Sequence, residues 1–240
     1  LAMSEILMEA HLYYMGLEEG VIRDAIGRRD ELLRQFVRSS ARRTAGMIAL
    51  ALTEARDDKN KLEEEMRAAF EAMGYDNVIH IGGNGKPDGT AEAYLAATKK
   101  GMIQRYKVGL EAKSGKTVSA KRLDVSALAR HMEDYNCDHH LVIGNGFHTS
   151  SGKDTASVRQ ISKHREYTKT EGHEKTITLM HIDDLARLIR IASAKRVGGL
   201  SRLRELFRNC VTPEESKEWV DDLAAETTEN WPYREILETI

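Results

Sequence analysis

The sequence predicts an α/β fold in which a mixed central sheet is flanked by helices and preceded by a helical N-terminal region. Three observations predict it. Apolar residues recur at spacings of three and four over roughly the first quarter of the chain. The period then gives way to short apolar runs punctuated by Gly and Pro, and from residue 119 onward helix-like and strand-like segments alternate.

Residues 1 to 58 read as helical throughout, with Leu32, Leu33, Phe36, Val37 and later Met47, Ile48, Leu50 and Leu52 at helical spacings. A further helix, from Asp58 to Met73, places Leu62, Met66, Ala69, Phe70 and Met73 on one face, and Gly74 stands at its stop. Glu63 and Glu65 flank that stripe, and Glu64 points away. Next, "YDNVIHI" is strand-like, "GGNGKPDG" is turn-rich, and "TAEAYL" and "RYKVGLEAK" are strand-like again, which makes an antiparallel meander turning near Lys99 to Gly101. "SAKRLDVSALARHMEDYN" has helical periodicity through Leu123, Ala127, Leu128 and Met132. "HHLVIGNGF" then suits a buried strand, completing a strand-helix-strand crossover. A polar helix over 155 to 170 and a buried strand "KTITLMHI" lead into "DDLARLIRIASA", with Asp183 or Asp184 as the helix cap. The tail from Leu200 is helical, and Pro213 opens one helix after Thr212 as its cap.

With 240 residues, 31% charged and 41% hydrophobic, the chain has the composition of an ordinary globular protein. No apolar run approaches the roughly 18 to 20 residues needed to span a bilayer, and the N-terminus lacks a secretory pattern. A cytoplasmic protein without membrane partners is expected. Cys137 and Cys210 are too few for a disulfide framework and are expected to be reduced thiols. Leu1-Ala2-Met3-Ser4, with Met in third place, is expected to be a short addition before the start, and the chain a piece of something longer.

The net charge of −2 gives no global signal for nucleic acid, but the local signal is strong. From Leu95 to Arg122 the basic residues are Lys99, Lys100, Arg105, Lys107, Lys113, Lys116, Lys121 and Arg122, against Glu111 as the only acid. Within that run, "GLEAKSGKT" admits two readings. As a phosphate-cradling loop it requires G-x-x-x-x-G-K-[ST]. Here five residues separate Gly109 from Gly115, and Glu111 would face a polyphosphate. Asp183, at the end of an apolar strand, is the one feature that favours such an NTPase.

The other reading starts at "KPDG". Pro87 and Gly89 set a sharp turn that places Asp88 at the head of a strand. If that strand pairs with "RYKVGLEAK", Asp88 and Glu111 converge near one end of a hairpin. Period-two alternation puts Glu111 and Lys113 on one face and leaves the Ala112 carbonyl able to ligate a hard cation. Mg²⁺ prefers such oxygens and acidifies water for attack on phosphorus, while Lys113 would orient that water and offset phosphate charge.

"PDG" at 87 to 89 and "EAK" at 111 to 113 resemble the PD-(D/E)xK nuclease signature. More specifically, "MGYDNVIHIGGNGKPDG", "LVIGNGF" and "ITLMHIDDLARLI" resemble the FokI-like cleavage domains of type IIS restriction endonucleases, over about Asn60 to Asp222. The resemblance implies a restriction-endonuclease-like domain over 59 to 240 following a helical region at 1 to 58. It implies a Mg²⁺-dependent endonuclease acting on double-stranded DNA, with Mn²⁺ substituting, and little sequence specificity of its own. Asp88, Glu111 and Lys113 take the three chemical positions, with metal held by Asp88, Glu111 and the Ala112 carbonyl. Glu65 or Glu63 is the candidate auxiliary acid. Backbone phosphates are expected to meet Lys86, Lys116, Lys121 and Arg122, and recognition to lie in a separate domain or partner. Two departures stand out. Glu111 occupies a position where the family usually has Asp. Arg130 is the candidate contact of a transient homodimer, yet Ser126 stands where an opposite charge is expected.

A catalytically idle nuclease fold serving as a DNA-binding or assembly module is the competing class. His139-His140 beside Cys137 form the densest histidine cluster. Adjacent strand positions face opposite sides, so they are expected to be ordinary surface or half-buried histidines and no zinc site.

Overall fold

The computed structural model describes residues 44–225 apart from 84, 98–102, 120, 148–155 and 196–198. The helices expected before residue 44, the hairpin turn near Lys99 to Gly101, and Lys99 and Lys100 themselves lie outside the described residues.

Helix α1 (Ala45–Glu54) runs through a 3-10 turn (Ala55–Asp57) into α2 (Lys59–Ala72). The Asp58 carboxylate caps α2 by accepting from the Lys61 N–H at 3.2 Å. Gly74, at φ +95°, ends that helix, a left-handed conformation that glycine adopts without a Cβ clash. Leu62, Met66, Ala69 and Phe70 form the buried stripe of α2, while Glu63 and Glu65 are also buried and Glu64 is exposed. Ile48, Ala49 and Leu52 of α1 join the same core, so the packed unit takes in residues that the sequence assigned to the N-terminal region.

Strands β1 (Asp76–His80), β2 (Gly89–Ala97) and β3 (Ile103–Lys113) pair antiparallel, as the meander requires. Helix α3 (Val125–Asp134) then crosses to β4 (His139–Gly144), which runs parallel to β3. Helix α4 (Ala156–Thr170) crosses to β5 (Thr176–His181), parallel to β4. The result is one mixed sheet in the order β1-β2-β3-β4-β5. Leu123 lies just before α3 rather than within it, because Asp124 caps the helix by accepting from the Ala127 N–H.

Helix α5 (Ile182–Lys195) follows β5 directly. Asp183 and Asp184 therefore sit in its first turn and not at the cap, where their charge still complements the positive end of the helix. Two helices complete the fold, α6 (Gly199–Asn209) and α7 (Pro213–Ala225). Thr212 and Glu215 cap α7 reciprocally, with the Glu215 N–H on Thr212 Oγ1 at 3.2 Å and the Thr212 N–H on Glu215 Oε2 at 3.0 Å.

Alternation along β3 sends Tyr106, Val108, Leu110 and Ala112 into a core shared with α1, α2, α5, α6 and α7. Val142, Ile177 and Leu179 face the opposite core, closed by α3 and α4. Glu111 pairs in register with Val142 and so looks toward that second layer. No helix among the described residues is long and apolar enough to cross a membrane.

Candidate active site

Asp88 immediately precedes β2 and is clamped from both sides. Its N–H donates to the Leu110 carbonyl of β3 at 3.1 Å, and its own carbonyl accepts from the Ile81 N–H at 3.2 Å. The clamp needs Gly89, because a Cβ there would lie 2.6 Å from the Ile79 carbonyl oxygen. Asp88 Oδ2 accepts the Ala112 N–H at 2.7 Å, which joins the two halves of the expected motif. An extended residue directs its N–H and C=O to the same edge of its strand. The Ala112 carbonyl therefore points to the Asp88 side, past the last β2–β3 pair at Gly89 and Leu110.

Glu111 and Lys113 share one face of β3, and Lys113 Nζ donates to Glu111 Oε1 at 2.5 Å. Glu111 is only 8% exposed, yet its Oε2 is buried with no hydrogen-bond partner. Burial pushes the Asp88 carboxyl up to about 7, helped by the negative charges of Glu111 and Glu63 and opposed by the Ala112 N–H. Glu63, one of the two candidate auxiliary acids, therefore bears on Asp88. The Lys59 ammonium, 3.5 Å from Glu63 Oε1, only partly offsets this crowding of acids.

An orphaned carboxylate oxygen, a carboxyl held up by neighbouring acids and a free-edge carbonyl form a hard oxygen donor set, which fits a divalent cation such as Mg²⁺. Among the described residues, no three His, Cys, Asp or Glu side chains cluster as a metal centre by themselves. The fit is therefore to an open site of two carboxylates and a carbonyl, the kind that leaves positions for water and substrate.

Lys86, Lys116 and Lys121 are exposed. Arg122 is exposed as well, but its Nη2 donates to the Ser114 carbonyl at 3.0 Å, which braces the loop after β3. The Gly115 N–H donates to the Arg56 carbonyl at 2.9 Å, and Asn145 Nδ2 donates to the Gly115 carbonyl at 3.0 Å. That loop is tied to protein rather than curled around an anion, Glu111 is a strand residue, and Asp183 is paired with Arg56. The NTPase reading fails on these contacts. On α3, Arg130 and Ser126 are both exposed.

The adjacent histidines do face opposite layers, but they are neither surface nor half-buried. His139 is 2% exposed and His140 fully buried, because β4 is covered on both sides. His140 packs against Gly109, where a Cβ would come within 2.6 Å of its ring. Sequence reasoning missed His131 altogether. Buried on α3, it contacts the Gly85 carbonyl through Nε2 at 2.9 Å and so anchors the loop that delivers Asp88. Its signal was available: His131 falls on the same helical face as Leu128 and beside Met132, where a polar residue needs a buried partner.

A family model described as Mrr_cat, restriction endonuclease, matches residues 56–189. None of the curated proteins matches. Among solved structures, restriction endonuclease FokI bound to DNA is 17% identical, with a TM-score of 0.48 over 68% of this chain and 30% of that one. A second FokI structure, also 17% identical, has a TM-score of 0.46 over 67% and 30%. The DNA modification-dependent restriction endonuclease AspBHI is 13% identical, with a TM-score of 0.37 over 76% of this chain and 40% of that one. The chain thus spans less than half the length of these structural relatives.

Proposed function

Because the chain belongs to the Mrr_cat restriction endonuclease family, we propose that it is a divalent-metal-dependent DNA endonuclease that hydrolyses phosphodiester bonds through Asp88, Glu111 and Lys113. The observation that carries this reading is the meeting of those three residues at the ends of β2 and β3, with Glu111 Oε2 left unpartnered beside them.

Asp88, Glu111 and the Ala112 carbonyl would hold the ion, Mg²⁺ first and Mn²⁺ as a substitute, and Glu63 would support Asp88. A cation bound there supplies Lewis acidity toward phosphate oxygen and acidifies water. Asp88 is fixed by backbone on both sides and Glu111 by its strand, so the oxygens are pre-positioned and little reorganisation is needed. Lys113 holds a positive charge at Glu111 Oε1, where it orients the attacking water and offsets charge developing on the phosphate. Lys86, Lys116 and Lys121 hold backbone phosphates, with Arg122 shaping the loop between them. Such contacts position DNA without reading its sequence. Recognition then belongs to another domain or partner, as in a type IIS-like cleavage domain. Cutting both strands with one site per chain calls for transient pairing of two chains, with Arg130 as a contact.

The test is cleavage of supercoiled plasmid at low salt with Mg²⁺ or Mn²⁺, comparing the wild-type chain with Lys113→Ala and with EDTA present. Nicking or linearisation that requires metal and drops by at least about 100-fold in the variant is expected. Metal-independent cleavage, or an unchanged rate in Lys113→Ala, would overturn the assignment. Plasmid retained on a gel but left intact at every metal concentration would favour the idle module.

A further inference from the structure

Lys116, Lys121 and Arg122 follow β3 on one side of the candidate site. On the other side, beside β1, stands a further cation, Arg67 of α2. Its stem lies along the backbone where β2 begins, with Cδ 3.6 Å from the place a Gly89 Cβ would take. Its Nη1 donates to His80 Nδ1 at 2.8 Å, and that nitrogen is 3.1 Å from the Asp88 carbonyl oxygen. The guanidinium is thus two contacts from the backbone of Asp88. A guanidinium only donates, so this bond requires an unprotonated Nδ1, which cannot also donate to the Asp88 carbonyl. His80 therefore holds Arg67 rather than the loop.

Arg67 makes none of the ion pairs its helix offers. Glu63, Glu64 and Glu71 stand at spacings of three and four from it, where an acid and an arginine are neighbours. Glu63 is taken by Lys59 at 3.5 Å, Glu64 and Glu71 are exposed, and Arg67 has no carboxylate partner among the described residues. Its bond to a neutral imidazole leaves the charge uncompensated. Its Nε and Nη2 make no hydrogen bond among the described residues and are not buried, and His80 is exposed beside them. From His80 to Gly89 the only acid is Asp88, and the exposed Lys86 adds a second positive charge. Asp88 and Glu63, the nearest acids, are those a divalent ion would neutralise.

We propose that Arg67 is a further DNA-binding residue, holding a backbone phosphate on the β1 side of the one that is cleaved, an assignment that rests on the nuclease reading of the site. A phosphodiester suits the guanidinium fork, and a stem already laid along Gly89 loses little freedom when it binds. With Lys116 and Lys121 after β3, cations then stand on both sides of Asp88 and Glu111. A strand crossing the site is held on either side of the scissile bond, which fixes its orientation better than one grip does. The competing role is structural: Arg67 would only steady His80 beside the Asp88 backbone. The two roles predict different losses, because a brace carries no DNA affinity of its own.

Fluorescence anisotropy of the full chain with short duplexes, in Ca²⁺ to avoid cleavage, tests it. Arg67→Gln keeps a donor for His80 but no charge. It should bind duplexes of unrelated sequence at least about 10-fold more weakly at low salt. Its slope of log K against log salt should be shallower by about 0.9, the share of one phosphate beyond those of the lysines, whereas Arg67→Lys should keep the wild-type slope. Melting curves of both variants separate lost binding from lost folding, and the contrast of Gln with Lys keeps the readout on charge if both melt lower. Wild-type affinity and slope in Arg67→Gln would overturn the phosphate contact, and slower plasmid cleavage alongside them would make Arg67 a brace. In either case metal-dependent cleavage by the wild type would still uphold the nuclease. A wild-type chain that neither binds a duplex nor cuts plasmid would sink the nuclease reading and this contact with it.

Discussion

Two buried histidines on opposite faces of the sheet make different demands on the protein. His131 holds the Gly85 carbonyl, three residues before Asp88, so it acts on the candidate site through the backbone of the loop. We expect His131→Leu to keep the fold, since it fills a largely apolar helix face, but to slow metal-dependent plasmid cleavage by about 10- to 100-fold through misplacement of Asp88. Metal titration of that variant should show a raised requirement that His131→Asn, which can still reach a carbonyl, partly restores. Equal rates for His131→Leu and wild type would remove the positioning role. His139 is pushed down to about 3 by burial, then by the positive charges of Arg204, Arg208 and Arg165, with Glu174 opposing them. Its unfolded form takes a proton near the ordinary 6.5, while the folded form resists until about 3. Between those values the unfolded state binds more protons, so this group lowers stability as pH falls. From pH 7 to pH 5 the loss is about 2 kcal/mol. His139→Gln keeps a polar group for Thr176 but cannot titrate, so its urea stability should fall less than wild type over that interval by about that amount. Comparing variant with wild type cancels every other titrating group, Asp88 included.

The element that decides the site is β3, which pairs antiparallel with β2 and parallel with β4. Its glycine is an obligation of packing: a Cβ at Gly109 would sit 2.6 Å from His140 Nδ1 and 2.8 Å from Cε1, in a ring with no room to move. Gly109→Ala should cost about 1–3 kcal/mol by overpacking, read as a lower denaturation midpoint at unchanged m-value, whereas an unshifted midpoint would mean that the ring can give way. Most of this element was legible in advance. The placement of Glu111 with Lys113 on one face and Ala112 on the other follows from side-chain period, a local property. Gly89, by contrast, expected in a sharp turn, opens β2 in register with Leu110 and is required by its close approach to the Ile79 carbonyl. What local pattern cannot supply is which backbone groups meet across the chain. The Asp88–Ala112 hydrogen bond, the His131–Gly85 anchor and the ties of Gly115 to Arg56 and Asn145 are all long-range. The start of α5 was misjudged for a related reason. Asp183 and Asp184 suit a cap chemically, but β5 passes into the helix with no intervening loop, so the acids fall in its first turn. His139 and His140 were placed too near the surface because the covering of β4 by both layers is a property of the whole sheet.

At the scale of the whole molecule, charge is arranged by region rather than in bulk. A net charge of −2 gives no general attraction to a polyanion, yet exposed Lys86, Lys116 and Lys121 lie in the segments that bracket Asp88, Glu111 and Lys113. If these three lysines neutralise three phosphates, each releases counterions, and log K should fall with log salt at a slope of about −2.7. Raising monovalent salt from about 50 to about 200 mM would then weaken DNA binding by about 40-fold. Arg122 should add less than a full contact, because part of its guanidinium is committed to the Ser114 carbonyl. Fluorescence anisotropy with a short duplex, in Ca²⁺ to avoid cleavage, measures the slope. Lys116→Ala should reduce it by about 0.9 and weaken duplexes of unrelated sequence equally, because a phosphate contact carries no base information. A slope unchanged by that substitution would place the DNA path elsewhere on the surface, and weakening confined to one sequence would mean that this end of the sheet reads bases after all.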